Sequence, residues 1–441
     1  LSSALQAATE SFSSALPGAR LRAWGVRFGL AIVDQGFTSA AGFLLNLLLA
    51  RWLASEAYGA FAVMFATLLF LSGFHNVLLL EPMSVFGPAG YSHRLAGYFS
   101  AQLRVHAVLV GVLSGTLLTI GAVMTRFGAH RELVAATLGS ALALPFLLLL
   151  WLARRMCYVV HRPSIAVWGS AAYFVFVLVG LFALHQSGWL NPFWAFLLIA
   201  GASVVPVLLL LWRLDLFGGA PADPCPWKQV LRENWNYGRW LVASTTLFSM
   251  ASQTQTYLAA AFLGLSAAGI LRAMQVPSLA MTQIVAAVGL LLLPTMSSDF
   301  GLGRSHQLRK KALLATVSLT AMAAAFAAVL WAFAGQIEHL LFGGKFAADA
   351  WLIPILGLVP VCAALATGLS MALRASQKPH FDLLANAVAA PVGVLTAVIF
   401  IKLWGVGGAA TSLVAGFATY AAVYFCSYRQ WSRQEQGLKA I

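Results

Sequence analysis

The sequence predicts an all-α integral membrane protein: about twelve transmembrane helices in two six-helix bundles related by a pseudo-two-fold axis along the membrane normal. Three observations carry this reading. Of the 441 residues, 61% are hydrophobic and 9% charged, and the mean hydropathy is +0.84, whereas a soluble domain carries about 25% charged residues. Apolar runs recur along the chain, among them Leu30–Leu49, Leu133–Leu152 and Gly393–Ile401 with its flanks. At about 1.5 Å per residue, a run of about 20 residues crosses a hydrocarbon core of about 30 Å. Finally, the same punctuation returns roughly halfway along the chain.

Breaks where Gly, Pro and charge cluster place the spans at 28–51, 57–80, 100–124, 133–155, 164–185, 192–212, 238–262, 268–293, 312–334, 350–373, 383–402 and 406–427. Backbone in lipid must satisfy its own hydrogen bonds, and these runs lack period-2 alternation, so they read as helices rather than barrel strands. Before the first span, Leu1–Gly25 is polar and without an initiator Met. It reads as a trimmed start with no visible signal peptide. The expected organisation is a cytoplasmic segment 1–25, an N-lobe 26–213, a cytoplasmic linker 214–237, a C-lobe 238–428 and a cytoplasmic tail 429–441.

Orientation follows from the basic residues. With the N-terminus on one side, 21 of the 27 Lys and Arg fall on that side. Cytoplasmic loops hold the excess of Lys and Arg, so both termini are expected inside. The net charge of +14 is then mostly a cytoplasmic skin facing anionic lipid. Dispersed over seven segments, it is not a nucleic-acid footprint. Cys157, Cys225, Cys362 and Cys426 are far apart and the nine histidines are scattered. Neither pattern supports a metal site or a disulfide framework.

The repeat is carried by three matches in one order. ARWLASEAYGAF (50–61) is echoed by AAFLGLSAAGIL (260–271), pairing Gly59 with Gly269. FGPAGYSHRL (86–95) resembles FGLGRSHQLR (300–309), and ARRMCYVVHRP (153–163) resembles ALRASQKPH (372–380). The offsets drift only from 210 to 216. Two halves of six spans both start from the cytoplasm and share an orientation, a transporter arrangement. The connector LFGGAPADPCPWKQVLRENWNYG (216–238) breaks the helix with Gly218, Gly219, Pro221, Pro224 and Pro226. Beyond it, Trp227, Leu231 and Trp235 are spaced for an amphipathic segment on the cytoplasmic interface.

Two stretches resemble a known family. NLLLARWLASEAYGAFAVM (46–64) is similar to the first-hairpin signature of the polysaccharide transporter family, and LLFGGKFAADAWLIPILGL (340–358) with ALRASQKPHF (372–381) is similar to its tenth-span region. That family sits in the multidrug/oligosaccharidyl-lipid/polysaccharide exporter superfamily, beside lipid II flippases and multidrug extruders. The resemblance implies two bundles around a central cavity. It also implies flipping of polyprenyl-pyrophosphate-linked oligosaccharide from cytoplasm to periplasm across a bacterial inner membrane. The implied partners are the lipid-linked oligosaccharide, the surrounding membrane lipids and the polysaccharide polymerase and export machinery, with no cofactor.

A pyrophosphate crossing hydrocarbon needs a polar, cationic path with few acids. There are 13 Asp and Glu, and Asp34 alone lies well inside a predicted span. It is the candidate coupling-ion residue, since charge inside a span is costly and usually functional. Arg27 lies seven residues before it, about 10 Å along the axis, too far for a direct pair. It is a candidate substrate ligand or an interfacial snorkel. The seventh span carries SQTQTY (252–257), and Thr245, Ser249, Ser252 and Thr256 form one stripe flanked by Gln253. Arg272 and Gln275 follow on the eighth span. Arg51 and Arg374 complete the candidate substrate-binding set, against their reading as interfacial anchors, which also serves Arg154 and Arg155. A cation antiporter of the same fold is the alternative, but predicted spans seven to twelve hold no acid to grip a cation. A polyprenyl-sugar polymerase or glycosyltransferase is a further alternative, though no nucleophile triad, P-loop or dinucleotide fingerprint appears. The chain reads as a non-enzyme.

These counts fix a topology test. Cysteines placed at Gly90 and Gly219 should stay unlabelled by an impermeant maleimide in intact cells, while those at Gly128 and Gly344 should label. Labelling of position 219 from outside would overturn the arrangement of two sets of six.

Overall fold

The structure is a computed structural model, and it describes residues 17–216, 223–376, 378 and 380–437. Gly219 and Pro379 lie outside the described residues, as do the side chains of 17–24, 27 and 28, Arg27 among them. Apart from short π and 3-10 turns, every regular element among the described residues is an α-helix. In chain order the helices are α1 Pro17–Trp52, α2 Ser55–His75, α3 Glu81–Gly90, α4 Leu95–Arg126, α5 Arg131–Val159, α6 Pro163–Gln186 and α7 Pro192–Arg213. They continue with α8 Trp227–Leu263, α9 Leu265–Gly301, α10 Ser305–Ala332, α11 Ala334–Phe342, α12 Leu352–Leu356, α13 Leu358–Ala375 and α14 His380–Gly437. Among the described residues, nine helical stretches are long and apolar enough to cross a membrane. One of them, His380–Gln434, runs 55 residues and is broken at Gly405, whose φ of 58° lies in the region that favours glycine.

Several details depart from the sequence expectation. The segment read as a linker plus a separate surface helix joins the seventh span: α8 is continuous from Trp227. Its first turns are anchored rather than floating. Tyr91 donates to Glu233 at 2.8 Å, and Gln102 and Asn234 exchange amide hydrogen bonds at 3.0 and 3.4 Å. Burial and the bond to Glu233 push the Tyr91 hydroxyl up to about 12. The stretch between the expected spans 312–334 and 350–373 holds α11, within which buried Glu338 accepts the Phe346 N–H at 2.8 Å. After α2 the chain passes through a π turn, Asn76–Leu80, and on into α3, where a loop was expected. Pro82 fits the first turn of α3, where no intrahelical N–H is required.

The chain forms two compact units, 1–45 with 64–245, and 46–63 with 246–441. In the first, α5 packs on α4, α6 and α7. Gly139 of α5 admits α7 closely, since a Cβ there would lie 2.9 Å from the Phe193 carbonyl. In the second, α13 packs on α9, α10 and α14. Gly368 of α13 plays the same part against α10, where a Cβ would meet Thr316 Oγ1 at 2.3 Å. Small residues serve this end in membranes because lipid provides no hydrophobic drive between helices, leaving close packing to hold them.

The tip of the first hairpin belongs to the second unit, and the repeated glycines explain its seat. A Cβ on Gly59 would sit 1.7 Å from the Leu265 carbonyl oxygen, and one on Gly269 would sit 2.6 Å from that of Ser55. Ser55 and Leu265 open α2 and α9, and each glycine is the fifth residue of its helix. The contact is reciprocal, each glycine lying against the residue that opens the other helix. Lys345 then caps the end of α1 by donating to the carbonyls of Ala50, at 2.7 Å, and Leu53. Burial lowers its ammonium below the ordinary lysine value.

Gly59→Ala should therefore cost at least about 3 kcal/mol, the upper range for overpacking, because the obstructing atom is backbone. Gly36→Ala, with open space around it, should be neutral or slightly stabilising. Thermal unfolding of the purified variants in detergent decides this; equal midpoints would refute the close approach.

Candidate functional site

Two buried polar clusters, one in each unit, hold most of the chemistry. In the first unit Asp34 is 1% exposed on α1. Its carboxylate receives Arg154 Nη2 at 2.6 Å and Nε at 3.3 Å, a forked contact from α5. Tyr158, one turn further along α5, donates at 2.6 Å, and Ser170 of α6 donates at 2.5 Å. Thr38 donates to the Asp34 carbonyl at 3.0 Å, which fixes the next turn of α1. A forked, charge-assisted pair with two further hydroxyl donors is what a carboxylate in hydrocarbon requires. Arg154 and Tyr158 lie four apart and so share a helix face. Sequence alone marks Asp34 as central and leaves Arg154 as an end-of-span anchor; the structure puts the Arg154 guanidinium on the Asp34 carboxylate.

In the second unit Arg272 of α9 is partly buried. Its Nε donates to Asn46 Oδ1 at 3.3 Å and its Nη1 to Gln275 Oε1 at 3.4 Å. Fully buried Tyr58 lies in the electrostatic field of this guanidinium and stacks on Phe61 at 6.2 Å. The hairpin glycine contact creates this neighbourhood, since Asn46 and Tyr58 flank the turn that Gly59 seats. Arg272 and Gln275 are both in the sequence-based set, and the structure brings them together; Asn46 and Tyr58 are absent from that set, although both stand in the signature-like stretch.

The remaining candidates are placed elsewhere. Arg374 pairs with Asp382 at 2.8 Å, and Tyr424 also donates to Asp382, where α13 ends and α14 begins. Arg51 is exposed and lies near Gly343 in the turn after α11. On α8, Ser249, Ser252 and Gln253 are half-buried while Thr256 is buried. Ser252 donates back to the Ser249 carbonyl at 3.5 Å, the local bond that hydroxyls in helices commonly make. Gln255 is the buried amide of this run, facing Gly393 of α14. Among the described residues no group of three His, Cys, Asp or Glu is placed to hold a metal.

No protein-family profile matches the chain, and no curated protein matches it in sequence. Solved structures do match in fold. A multidrug resistance MATE family transporter of the MOP superfamily, inward-facing, aligns with a TM-score of 0.74 at 15% identity, covering 91% of this chain and 97% of that one. The lipid II flippase MurJ, inward closed, aligns at 0.70 with 11% identity, covering 91% and 87%. A MOP superfamily transporter from Pyrococcus furiosus, described as having a binding pocket of reversed polarity, aligns at 0.66 with 14% identity, covering 92% and 94%. At these identities the likeness is one of fold. The chain is a multi-pass membrane protein with the fold of MOP-superfamily transporters.

The first cluster yields a direct test. Arg154→Gln leaves a buried carboxylate without its cation and should cost about 3–5 kcal/mol. Adding Asp34→Asn should recover much of that loss, giving a positive coupling in a double-mutant cycle of thermal unfolding. Strict additivity of the two would mean that the pair does not hold α1 to α5.

Proposed function

We propose that this protein is a flippase. In this reading it moves polyprenyl-pyrophosphate-linked oligosaccharide from the cytoplasmic to the periplasmic leaflet of a bacterial inner membrane, by alternating access, for surface polysaccharide synthesis. It is a carrier, not an enzyme, built of twelve spans in two six-helix lobes with both termini in the cytoplasm. The polymerase and export machinery are its partners downstream.

The observation that carries the reading is the setting of Arg272. Amides of Asn46 and Gln275 accept from its guanidinium and orient it, and a guanidinium held as a planar fork suits a diphosphate. Three acids of the second unit are engaged structurally. Asp299 is held by Lys311 at 2.6 Å, Asp382 by Arg374, and Glu338 by the Phe346 backbone. With these three carboxylates committed, the unit favours an anionic cargo. The lipid II flippase among the fold relatives is in keeping with a lipid-linked substrate. A multidrug or cation antiporter is the second reading, favoured by Asp34 on α1 and by the MATE relatives.

Membrane potential enters as a driving force. A diphosphate diester carries about two negative charges, and moving them outward across an inside-negative membrane gains roughly 4–5 kcal/mol per 100 mV. The test is flipping of a fluorescent polyprenyl-pyrophosphate disaccharide in proteoliposomes, with a potassium–valinomycin potential and no pH or sodium gradient. The potential alone should accelerate turnover. Arg272→Ala should slow it about ten- to hundredfold, the equivalent of a charge-assisted bond of roughly 1.5–3 kcal/mol, and Arg272→Lys should recover part. Normal flipping by Arg272→Ala would remove that residue from the substrate path. Transport of cationic drugs with none of the lipid probe would install the antiporter reading.

A further inference from the structure

The first unit carries a groove that neither polar cluster uses. α6 and α7 are both long and apolar enough to span a membrane, and the short segment 187–191 turns the chain back between them. They run antiparallel in close contact. A Cβ on Gly180 would lie 2.3 Å from a Leu198 methyl, and one on Gly169 would lie 3.0 Å from those of Leu210. Beside this seam lies a cavity of about 580 Å³. Trp168, Ala171, Ala172 and Val175 of α6 line it, with Leu209 and Arg213 of α7. The four α6 residues fall at i, i+3, i+4 and i+7, one helix face. Ile165 and Phe176 carry that face to a length of about 16 Å.

Side-chain size makes the trough. Ala171 and Ala172 are half-buried and low, while Trp168, Val175 and Phe176 stand exposed along it. A lipid tail matches such a surface in shape. Apolar lining alone would not choose among lipids, since one hydrocarbon chain is as apolar as another. Among the described residues that line the groove, one is charged, and the choice falls to it. Arg213 closes α7 at the end of the groove, exposed, with its guanidinium 5.2 Å from the centre of the Trp212 ring. A contact with a ring face steadies a guanidinium without using its N–H donors. Among the described residues no acid is paired with Arg213. In the orientation proposed above this end lies at the cytoplasmic leaflet, where basic pockets between spans attract anionic headgroups.

We propose that the groove between α6 and α7 binds an anionic glycerophospholipid, with an acyl chain over Ala171 and Ala172 and the phosphate on Arg213. The guanidinium fork suits a phosphate's oxygens. Arg162, exposed just before α6, stands at the same end but does not line the groove. Its charge belongs to the surface and not to the site.

The experiment uses the full chain in nanodiscs of equal parts phosphatidylglycerol and phosphatidylcholine, with bromine on the acyl chains of one lipid or of the other. Quenching of Trp168 is read as the fluorescence difference between the wild type and Trp168→Phe. Phosphatidylglycerol should outweigh phosphatidylcholine at that ring about fivefold, the preference that one basic residue gives toward anionic lipid. Arg213→Gln should bring the two near parity, Arg213→Lys should keep a preference, and Arg162→Gln should leave it unchanged. Ala172→Phe, which fills the trough, should weaken quenching by both lipids. Thermal unfolding confirms that each variant is folded. Equal quenching by the two lipids in the wild type would overturn the proposal, and so would a preference that survives Arg213→Gln or falls equally in Arg162→Gln. Quenching by neither lipid would mean that protein, such as a second copy of the chain, covers the groove, which also overturns it. No readout needs a transported substrate, so a failure of the flippase reading leaves this test intact.

Discussion

Where Gly59 and Gly269 meet, two helices approach until backbone touches backbone, and the polar interior of the second unit is arranged by that contact. Lipid gives helices no hydrophobic reason to associate, so the absence of two side chains does the work that apolar burial does in water. The approach brings Tyr58 and Asn46 to Arg272, and it places the end of α1 where Lys345 reaches its open carbonyls. A methyl group at either glycine would separate these groups together, since their positions all depend on one distance.

The first unit solves the same problem with charge. Asp34 survives in hydrocarbon because a forked guanidinium, a phenol and a serine hydroxyl answer both of its oxygens. Such a pair is costly to assemble and costlier to break from one side. It ties α1 to α5 and α6 with directional bonds, whereas the glycine contact ties its helices by shape. The two clusters thus differ in kind: one carboxylate satisfied by donors, and one guanidinium oriented by neutral amides.

Much of the helical content was legible because hydropathy integrates over whole spans and tolerates local error. The Tyr-Gly hinge was legible too, as a repeat, although nothing in a repeat says that its copies touch. Arg272 and Gln275 were both named on one span, and their separation of three residues is a helical neighbour distance. Arg154, Tyr158 and Ser170 could not be assigned to Asp34, being 120 to 136 residues away, where spacing carries no information. Arg154 also sits at a span end, where a basic residue has an ordinary explanation. The π turn has no signature in composition. Pro224 and Pro226 were read correctly as breakers, but a helix begins immediately after them at Trp227.

The lysine clamp has a consequence for biogenesis. The Leu53 carbonyl waits for a lysine made 292 residues later, which at about 5–20 residues per second of synthesis is roughly 15–60 s. Throughout that interval the first hairpin is without its seat against α9 and without the lysine that donates to the carbonyls ending α1. The earliest spans to be inserted are therefore among the last to be completed. A chain ending before Lys345 would lack the donor that closes the end of α1.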